Sequence, residues 1–350
     1  MKKVTIIGAG NIGMAVASYL SNKKYDVTLL TSNKEVINSF ENDNSVTVSG
    51  LMSFETMIKN VTDDKEAALK DTEVVIITTP ALYHESIAIS ISNYLENNSL
   101  IVLFSGKFAG SILIESIIKE KKPKYFGSVI EATSVFSARK LNYHHVRIRG
   151  IKNLVRYASV SYEQTKASEE ILTDMFPSLA PVNCFLERSF CDIGSMLHPA
   201  ISLLNLTKIE TGTEFKFYLN GATQKVVDLI EILDHERISI AKSYNVTVPT
   251  LRQIIFEYYG SEGDNLYEVI HNTIPYQESV APVSLDHRYL IEDVSESLLP
   301  MYELALQAGV NVPVMKSIID LTMFICDYDF YLKGRTLSKL GINKCEALVK

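Results

Sequence analysis

The sequence predicts an α/β domain with a doubly wound, mainly parallel sheet, followed by an all-α domain. Three observations carry that prediction. A β-branched strand runs straight into a glycine-rich turn near the start of the chain, strand, loop and helix signals then alternate to about residue 182, and helical periodicity takes over beyond it. At 350 residues, 47% hydrophobic and 21% charged, the chain is long enough for two cores. The expected division is 1–182 and 183–350.

The first element is read from "KVTIIGAGNIGMAVASYL". A short strand over 4–7 is followed by Gly8, Gly10 and Gly13 in the order GxGxxG, opening a helix. In such a loop the first glycine permits a tight turn, the second lets the backbone approach a pyrophosphate, and the third lets the helix pack close to the strand. Helix N–H groups then face the phosphates. Gly8, Gly10, Asn11, Ile12 and Gly13 are therefore expected to bind a dinucleotide cofactor in a Rossmann domain.

A second strand over 25–30 ends in "LLTSNKEV". An acidic residue at this place accepts the ribose hydroxyls of NAD and repels the additional phosphate of NADP. Here Thr31, Ser32 and Asn33 offer hydrogen bonds to a phosphate and Lys34 adds positive charge, which favours NADP(H) over NAD(H). The same residues also suit a helix start, with Asn33 or Ser32 as N-cap and Lys34 on the surface. Strands over 74–78, over 100–104 and in "YFGSVIEA" continue the alternation. Ligands collect at the carboxyl ends of strands in such sheets, which places Thr79, Pro80, Ser105, Gly106, Lys107 and Glu131 along the cofactor crevice.

Beyond Val182, "TQKVVDLIEILDHERISIAKSY" puts Val226, Leu229, Ile230, Leu233, Ile238 and Ala241 on one stripe. "DVSESLLPMYELALQAGV" and "VPVMKSIIDLTMFICDY" read as two more helices, with Gly309 as the stop and Pro313 as the next start. "SMLHPAISLLN" is different, because it sets an ionisable side chain directly before a proline. Pro199 fits the first turn of a helix and pushes its predecessor out of helical dihedrals. His198 is thus expected at the mouth of a helix packed down through Leu197, Ile201 and Leu204. A helix N-terminus disfavours imidazolium, so a histidine that cycles through its charged form needs a carboxylate partner. Asp293, shortly after Arg288 in "LDHRYLIEDVSE", is the candidate.

Taken together, "GAGNIG", "TTPALYHE", "HPAISLLNLTKIETG", "DHERISIAK" and "HRYLIEDVSESLLPMYELA" resemble the octopine/nopaline (opine) dehydrogenase family, from Met1 to about Ile325. The resemblance implies a Rossmann domain followed by a 6-phosphogluconate dehydrogenase-like helical domain. It implies an NAD(P)H-dependent oxidoreductase acting on CH–NH bonds, which reduces the imine formed between a 2-oxo acid such as pyruvate and the amino group of an amino acid. By the same resemblance His198 is the catalytic acid/base, Asp293 its orienting partner and Arg288 the clamp on a substrate carboxylate. Those residue types suit the chemistry, since an imidazole exchanges protons near neutrality and a guanidinium fork fixes the plane of a carboxylate. Lys107, where several family members carry glutamine, is counted with the substrate residues and is expected to attract a carboxylate or a phosphate, and Asn205 is counted with them. Two other readings are a simple 2-oxo acid reductase of the ketopantoate reductase or glycerol-3-phosphate dehydrogenase type, and a non-catalytic NADP(H)-sensing protein. The set of His198, Arg288 and Asp293 argues against the last.

Composition excludes several classes. A net charge of -7 and a pI near 5.6 argue against holding nucleic acid or anionic lipid by broad phosphate neutralisation. No stretch has the roughly 18 apolar residues of a membrane span. Cys184, Cys191, Cys326 and Cys345 are scattered without a CxxC, and no His/Cys cluster forms, so neither a metal site nor a disulfide framework is expected. The start of the chain, with "MKK", an apolar run and Ala15-Val16-Ala17, imitates a secretory signal. Cleavage there would remove the first strand and the glycine turn, so a cytoplasmic enzyme is expected instead. Apolar helical stripes in excess of one core point to a homodimer through the helical domain.

Overall fold

The computed structural model describes residues 2–342, so Cys345 lies outside the described residues. Two compact units emerge. Met1–Gly106 and Gly110–Phe185 form one, while Lys107–Ala109 and Leu186–Lys350 form the other. The division falls just beyond residue 182, and the three residues from Lys107 to Ala109 belong with the helical unit.

In the first unit the runs "VVII" and "LIVLF" are apolar throughout, as strands covered on both faces require, and Val74–Ile77 and Leu100–Phe104 are buried along their whole length. The large sheet runs Leu179–Pro181, Val155–Ala158, Val129–Ala132, Leu100–Phe104, Val74–Ile77, Lys3–Ile7, Asp26–Leu30, Asn60–Thr62. Every neighbouring pair is parallel except Val155–Ala158 against Val129–Ala132. Thr5 is a polar residue in this core, and its hydroxyl donates to the Ala68 carbonyl at 2.5 Å. The helix Asn11–Asn22 starts directly after the glycine turn and buries Met14, Ala15, Val16, Ala17 and Leu20.

A second sheet was not expected. Its four strands run Phe54–Met57, Ser45–Gly50, His145–Ile151, Phe136–Asn142. His144, at the hairpin turn, bonds the Ser45 carbonyl through Nδ1 at 2.7 Å and the Ser39 carbonyl through Nε2 at 2.9 Å, and its ring stacks on Phe40. The adjacent His145 meets Ser49 Oγ at 2.8 Å. Both imidazoles thus tie strands together.

The second unit is helical, as the change of period predicts. Its longest helix, Gln224–Ser243, buries Val226, Val227, Ile230, Leu233, Ile240 and Ala241, and also Asp234 and Arg237. Arg237 is fully buried and forks onto Asp234 at 2.6 and 2.8 Å, while Asp234 accepts Leu251 N–H at 2.9 Å. Glu236 receives Val314 and Met315 N–H, each at 2.8 Å, and so caps Pro313–Cys326.

The segment that carries Asp293 is helical from Ile291 to Ala308 but wound as π-helix over Val294–Leu298. Pro300 explains part of this, because it has no N–H for the Glu296 carbonyl one turn back. That carbonyl accepts Phe108 N–H at 3.0 Å, and the Ser295 carbonyl accepts Arg335 N–H at 3.0 Å. The helix ends at Gly309 with φ +68, and Pro313 opens the next, as expected.

One helix boundary differs from its prediction. Gly194–Leu204 begins well before Pro199, so His198 lies inside the helix rather than at its mouth. Proline forfeits only one helical bond, toward Ser195 O, and Leu197, Ala200 and Ile201 bury the face around it, which outweighs the local preference. Leu204, expected to pack down, is 55% exposed.

Candidate active site

In the helical unit His198 is held at both ring nitrogens. Nδ1 lies 2.7 Å from Asp293 Oδ2 and Nε2 lies 3.0 Å from the Tyr218 hydroxyl. A carboxylate only accepts, so the neutral imidazole carries its proton on Nδ1 and receives the phenol proton at Nε2. Burial pushes the Tyr218 hydroxyl well above its ordinary range, with Tyr276 and Tyr289 adding to the effect, which keeps it a donor. The Tyr289 ring stacks on the imidazole at 3.9 Å.

Asp293 does not serve His198 alone. Its other oxygen is bonded by the Lys107 ammonium, which also lies 3.5 Å from Asp192 Oδ2. Asp192 in turn accepts from Ser297 Oγ at 3.0 Å. Burial opposes ionisation of both carboxylates. The charge of Lys107, joined at Asp293 by His198 and at Asp192 by Arg188, overrides it and holds both below the ordinary carboxylate range. Burial likewise opposes the ammonium, and Asp192, Asp293 and Glu292 override it and push Lys107 upward. Lys107 is therefore a buried counter-ion bound to the carboxylate of the dyad.

Backbone conformation brings it there. Ser105, Lys107 and Ala109 all have positive φ (94, 56 and 55°), a rare run for residues with side chains. Lys107 O accepts from Arg188, and Ala109 N donates to Ser189 Oγ at 2.9 Å, so Lys107 and Ala109 are fixed within the helical unit. Gly194, one turn before His198, completes the packing. A Cβ there would stand 3.2 Å from His198 Cε1 and 3.3 Å from Asp293 Oδ1.

Arg288 is exposed, with its guanidinium 5.8 Å from the Tyr289 ring centroid, and its side chain has no hydrogen bond or ion pair with a described residue. Beside it, His287 is lowered to about 4 by burial and by the charges of Arg288 and His198. Asn205 is placed differently from its expectation. Its amide donates to Ile201 O at 2.9 Å and Gly221 O at 3.0 Å and its oxygen accepts from Lys208, so it joins two helices instead of presenting to a substrate.

The dinucleotide residues lie in the first unit. Gly8 has φ +105, and a Cβ on Gly13 would fall 1.7 Å from Gly8 O, so both positions demand glycine. Gly10 faces open space and the helix Asn11–Asn22 has no side-chain cap, which leaves its first N–H groups, from Asn11 and Ile12 onward, for a ligand. Thr79 leans over the same turn, and its buried hydroxyl has no partner among the described residues. Pro80 follows it and starts the turn Ala81–Tyr83. These features fit a bound diphosphate.

At the second strand, Thr31 Oγ1 accepts Asn33 N–H at 3.3 Å, Ser32 is exposed, and Asn33 caps Lys34–Ser39 by accepting from Glu35 and Val36. Lys34 is ion-paired with Asp63, both side chains being well exposed. Glu131 departs from its expected place on the crevice wall. It is fully buried and accepts Ser111 N–H and Oγ–H at 2.8 and 2.9 Å, serving the start of the helix Gly110–Lys121.

Tyr218, Tyr289, Asp192, Gly194 and His287 escaped the sequence reading. Gly194 had a usable signal, since a residue one helical turn before His198 shares its face. Tyr218 had none, because its approach to His198 is tertiary.

Both units resemble known proteins. Residues 4–158 match the family described as ketopantoate reductase PanE/ApbA, and residues 181–326 match NAD/NADP octopine/nopaline dehydrogenase, alpha-helical domain. An opine dehydrogenase of Arthrobacter sp. (strain 1C) is 30% identical over 343 residues, covering 98% of this chain and 96% of its own. Among solved structures, octopine dehydrogenase with NADH and L-arginine superposes with a TM-score of 0.79 at 20% identity, over 100% of this chain and 98% of that one. Yersinopine dehydrogenase with NADP+ bound gives 0.71 at 13%, over 100% and 97%.

Proposed function

Because the chain belongs to the opine dehydrogenase family, we propose that it reductively joins a 2-oxo acid to the amino group of an amino acid, preferring NADP(H), with His198 moving the protons. The polar chain from Lys107 through Asp293 to His198 carries this reading.

Attack of an amine on a 2-oxo acid gives a carbinolamine as nitrogen loses a proton and oxygen gains one, and that oxygen must gain a second proton before water leaves and the iminium forms. With Asp293 behind Nδ1, the Nε2 end of His198 takes up and returns that proton, and the carboxylate stabilises the imidazolium. Tyr218 holds the same nitrogen until a substrate group competes for it. Arg288, whose fork has no ion pair with a described residue, is suited to clamp a substrate carboxylate in one plane. The nicotinamide, when bound, supplies the hydride that reduces the imine carbon.

The glycine turn, the uncapped helix start and Thr79 are the residues that would hold the dinucleotide. Preference for NADP(H) rests on Lys34, because an exposed, solvent-screened ion pair such as Lys34–Asp63 contributes little and yields readily to a phosphate. This reading takes the protein to be a cytoplasmic homodimer acting on CH–NH bonds.

The ketopantoate reductase match over residues 4–158 favours a second reading, a simple 2-oxo acid reductase. Both are tested by NADPH oxidation across 2-oxo acids with and without amino acids, with products read by mass. An amine-dependent rate yielding a secondary-amine dicarboxylic acid is expected. An amine-independent rate overturns the proposal in favour of the simple reductase, and cofactor binding with no turnover on any pair favours the sensor.

A further inference from the structure

Lys140 stands on the glycine turn and has no evident reason to be there. It lies in the strand Phe136–Asn142 of the small sheet, yet its ammonium reaches Ala9 O at 3.0 Å, between Gly8 and Gly10. Its backbone N–H donates to Asn11 Oδ1 at 2.9 Å, so the strand is pinned to the first residue of the helix Asn11–Asn22.

A bulge aims the side chain. His145 pairs with Asn142 and Val146 with Lys140, so Leu141 is an extra residue in the ladder, and 49% of it is exposed. Such bulges redirect a neighbouring side chain. The strand thus delivers a cation to the turn at the cost of regular pairing.

The electrostatics are unfavourable without a ligand. Lys140 is half-buried and has no carboxylate partner among the described residues, and burial lowers its affinity for a proton. The Tyr143 ring centroid lies 5.1 Å from the ammonium, and the Tyr143 hydroxyl donates to Glu35 at 2.5 Å. The positive end of an uncapped helix lies beside it. An ammonium has three protons to donate, and Ala9 O accepts one.

We propose that Lys140 is a cofactor-binding residue, donating to the diphosphate of the dinucleotide as it lies on the Gly8–Gly13 turn. The inference rests on the dinucleotide reading given above and adds a contact from outside the glycine motif. It is distinct from Lys34, which would meet only the 2′-phosphate of NADP(H). A diphosphate is common to both cofactors, so Lys140 contributes to both alike.

The test is cofactor binding by calorimetry to purified wild-type protein, Lys140→Gln and Lys140→Arg, with NADH, NADPH and ADP as ligands and the thermal midpoint of the ligand-free proteins as control. Lys140→Gln is expected to raise Kd about tenfold or more for all three ligands, with Lys140→Arg recovering most of the loss and the ligand-free midpoint little changed. Equal affinity in wild type and Lys140→Gln overturns the proposal, as does a loss confined to NADPH, which would assign Lys140 to the 2′-phosphate. A loss of thermal stability that tracks the loss of binding would reduce Lys140 to a brace for the turn. Wild-type protein that binds none of the three would instead overturn the dinucleotide reading itself.

Discussion

His198 Nδ1 lies 2.7 Å from Asp293 Oδ2, and the other oxygen of that carboxylate is held by Lys107. The imidazole therefore works against a carboxylate whose charge is already shared. His198→Ala should lower kcat by about 10²-fold or more, the range for a lost acid/base, while the Kd for NADPH stays within about twofold. Stopped-flow turnover and calorimetry measure the two, and equal losses in both would remove His198 from the proton path.

A second imidazole nearby makes a pH profile ambiguous unless it is silent. Burial, Arg288 and His198 lower His287 to about 4, so it is neutral through the neutral range. His287→Gln should leave the shape of kcat/KM against pH unchanged above about pH 5. Displacement of the inflection by this substitution would assign it to His287.

Lys107 is bonded to Asp293 and lies 3.5 Å from Asp192, and Lys107→Met removes the cation that the two buried carboxylates share. Breaking such a set costs about 3–5 kcal/mol. The pH dependence has a definite sign. Asp192 and Asp293 are lowered in the folded protein, so their contribution is complete above the ordinary carboxylate range and is lost as pH falls through their folded values. Lys107 is raised, so its contribution is complete below the ordinary lysine value and is lost only as pH rises through the folded one. At neutral pH the wild type holds both. In the variant the carboxylates gain protons more readily, so its deficit should shrink from pH 8 toward pH 4.5 in urea titrations, and a constant deficit would contradict the assignment.

Much of this was legible in the sequence, for physical reasons. The uninterrupted apolar strands and the Gly8 to Gly13 turn are local, and so are Gly309 and Pro313 at helix ends. The small sheet was overlooked although "SVTVS" alternates at period two, with Val46 and Val48 buried, because a doubly wound plan has no place for it. Pro199 misled because a proline rule that holds for an isolated chain gives way when the surrounding face is buried. The sequence points Lys107 toward a carboxylate or phosphate of a ligand because nothing local reveals Asp192, which lies far along the chain and meets it only through three positive-φ residues.

Gly194 separates stability from activity. Alanine at this helical position is favoured over glycine by up to about 1 kcal/mol, yet its Cβ would press on His198 Cε1 at 3.2 Å and Asp293 Oδ1 at 3.3 Å. The neighbours must shift by a few tenths of an ångström. Gly194→Ala should keep or raise the thermal midpoint while lowering kcat about tenfold, since small misplacements at a reacting centre are costly. Undiminished kcat would show that the dyad tolerates the shift.

Cofactor choice turns on a competition at the end of the second strand. Lys34 is paired with Asp63, and the bond to Lys34 holds the Asp63 carboxyl below its usual range. A 2′-phosphate must draw the ammonium away from that carboxylate, whereas a ribose hydroxyl need not. Lys34→Glu should therefore weaken NADPH by about 1.5–3 kcal/mol, the worth of a charged hydrogen bond, and leave NADH nearly unchanged. Asp63→Asn should act in the opposite direction, tightening NADPH only slightly, because a solvent-screened exposed pair holds the ammonium weakly. Kd values for both cofactors in both variants decide the matter. If Lys34→Glu weakens NADH as much as NADPH, the 2′-phosphate is not what Lys34 meets, and the preference must come from elsewhere in the turn.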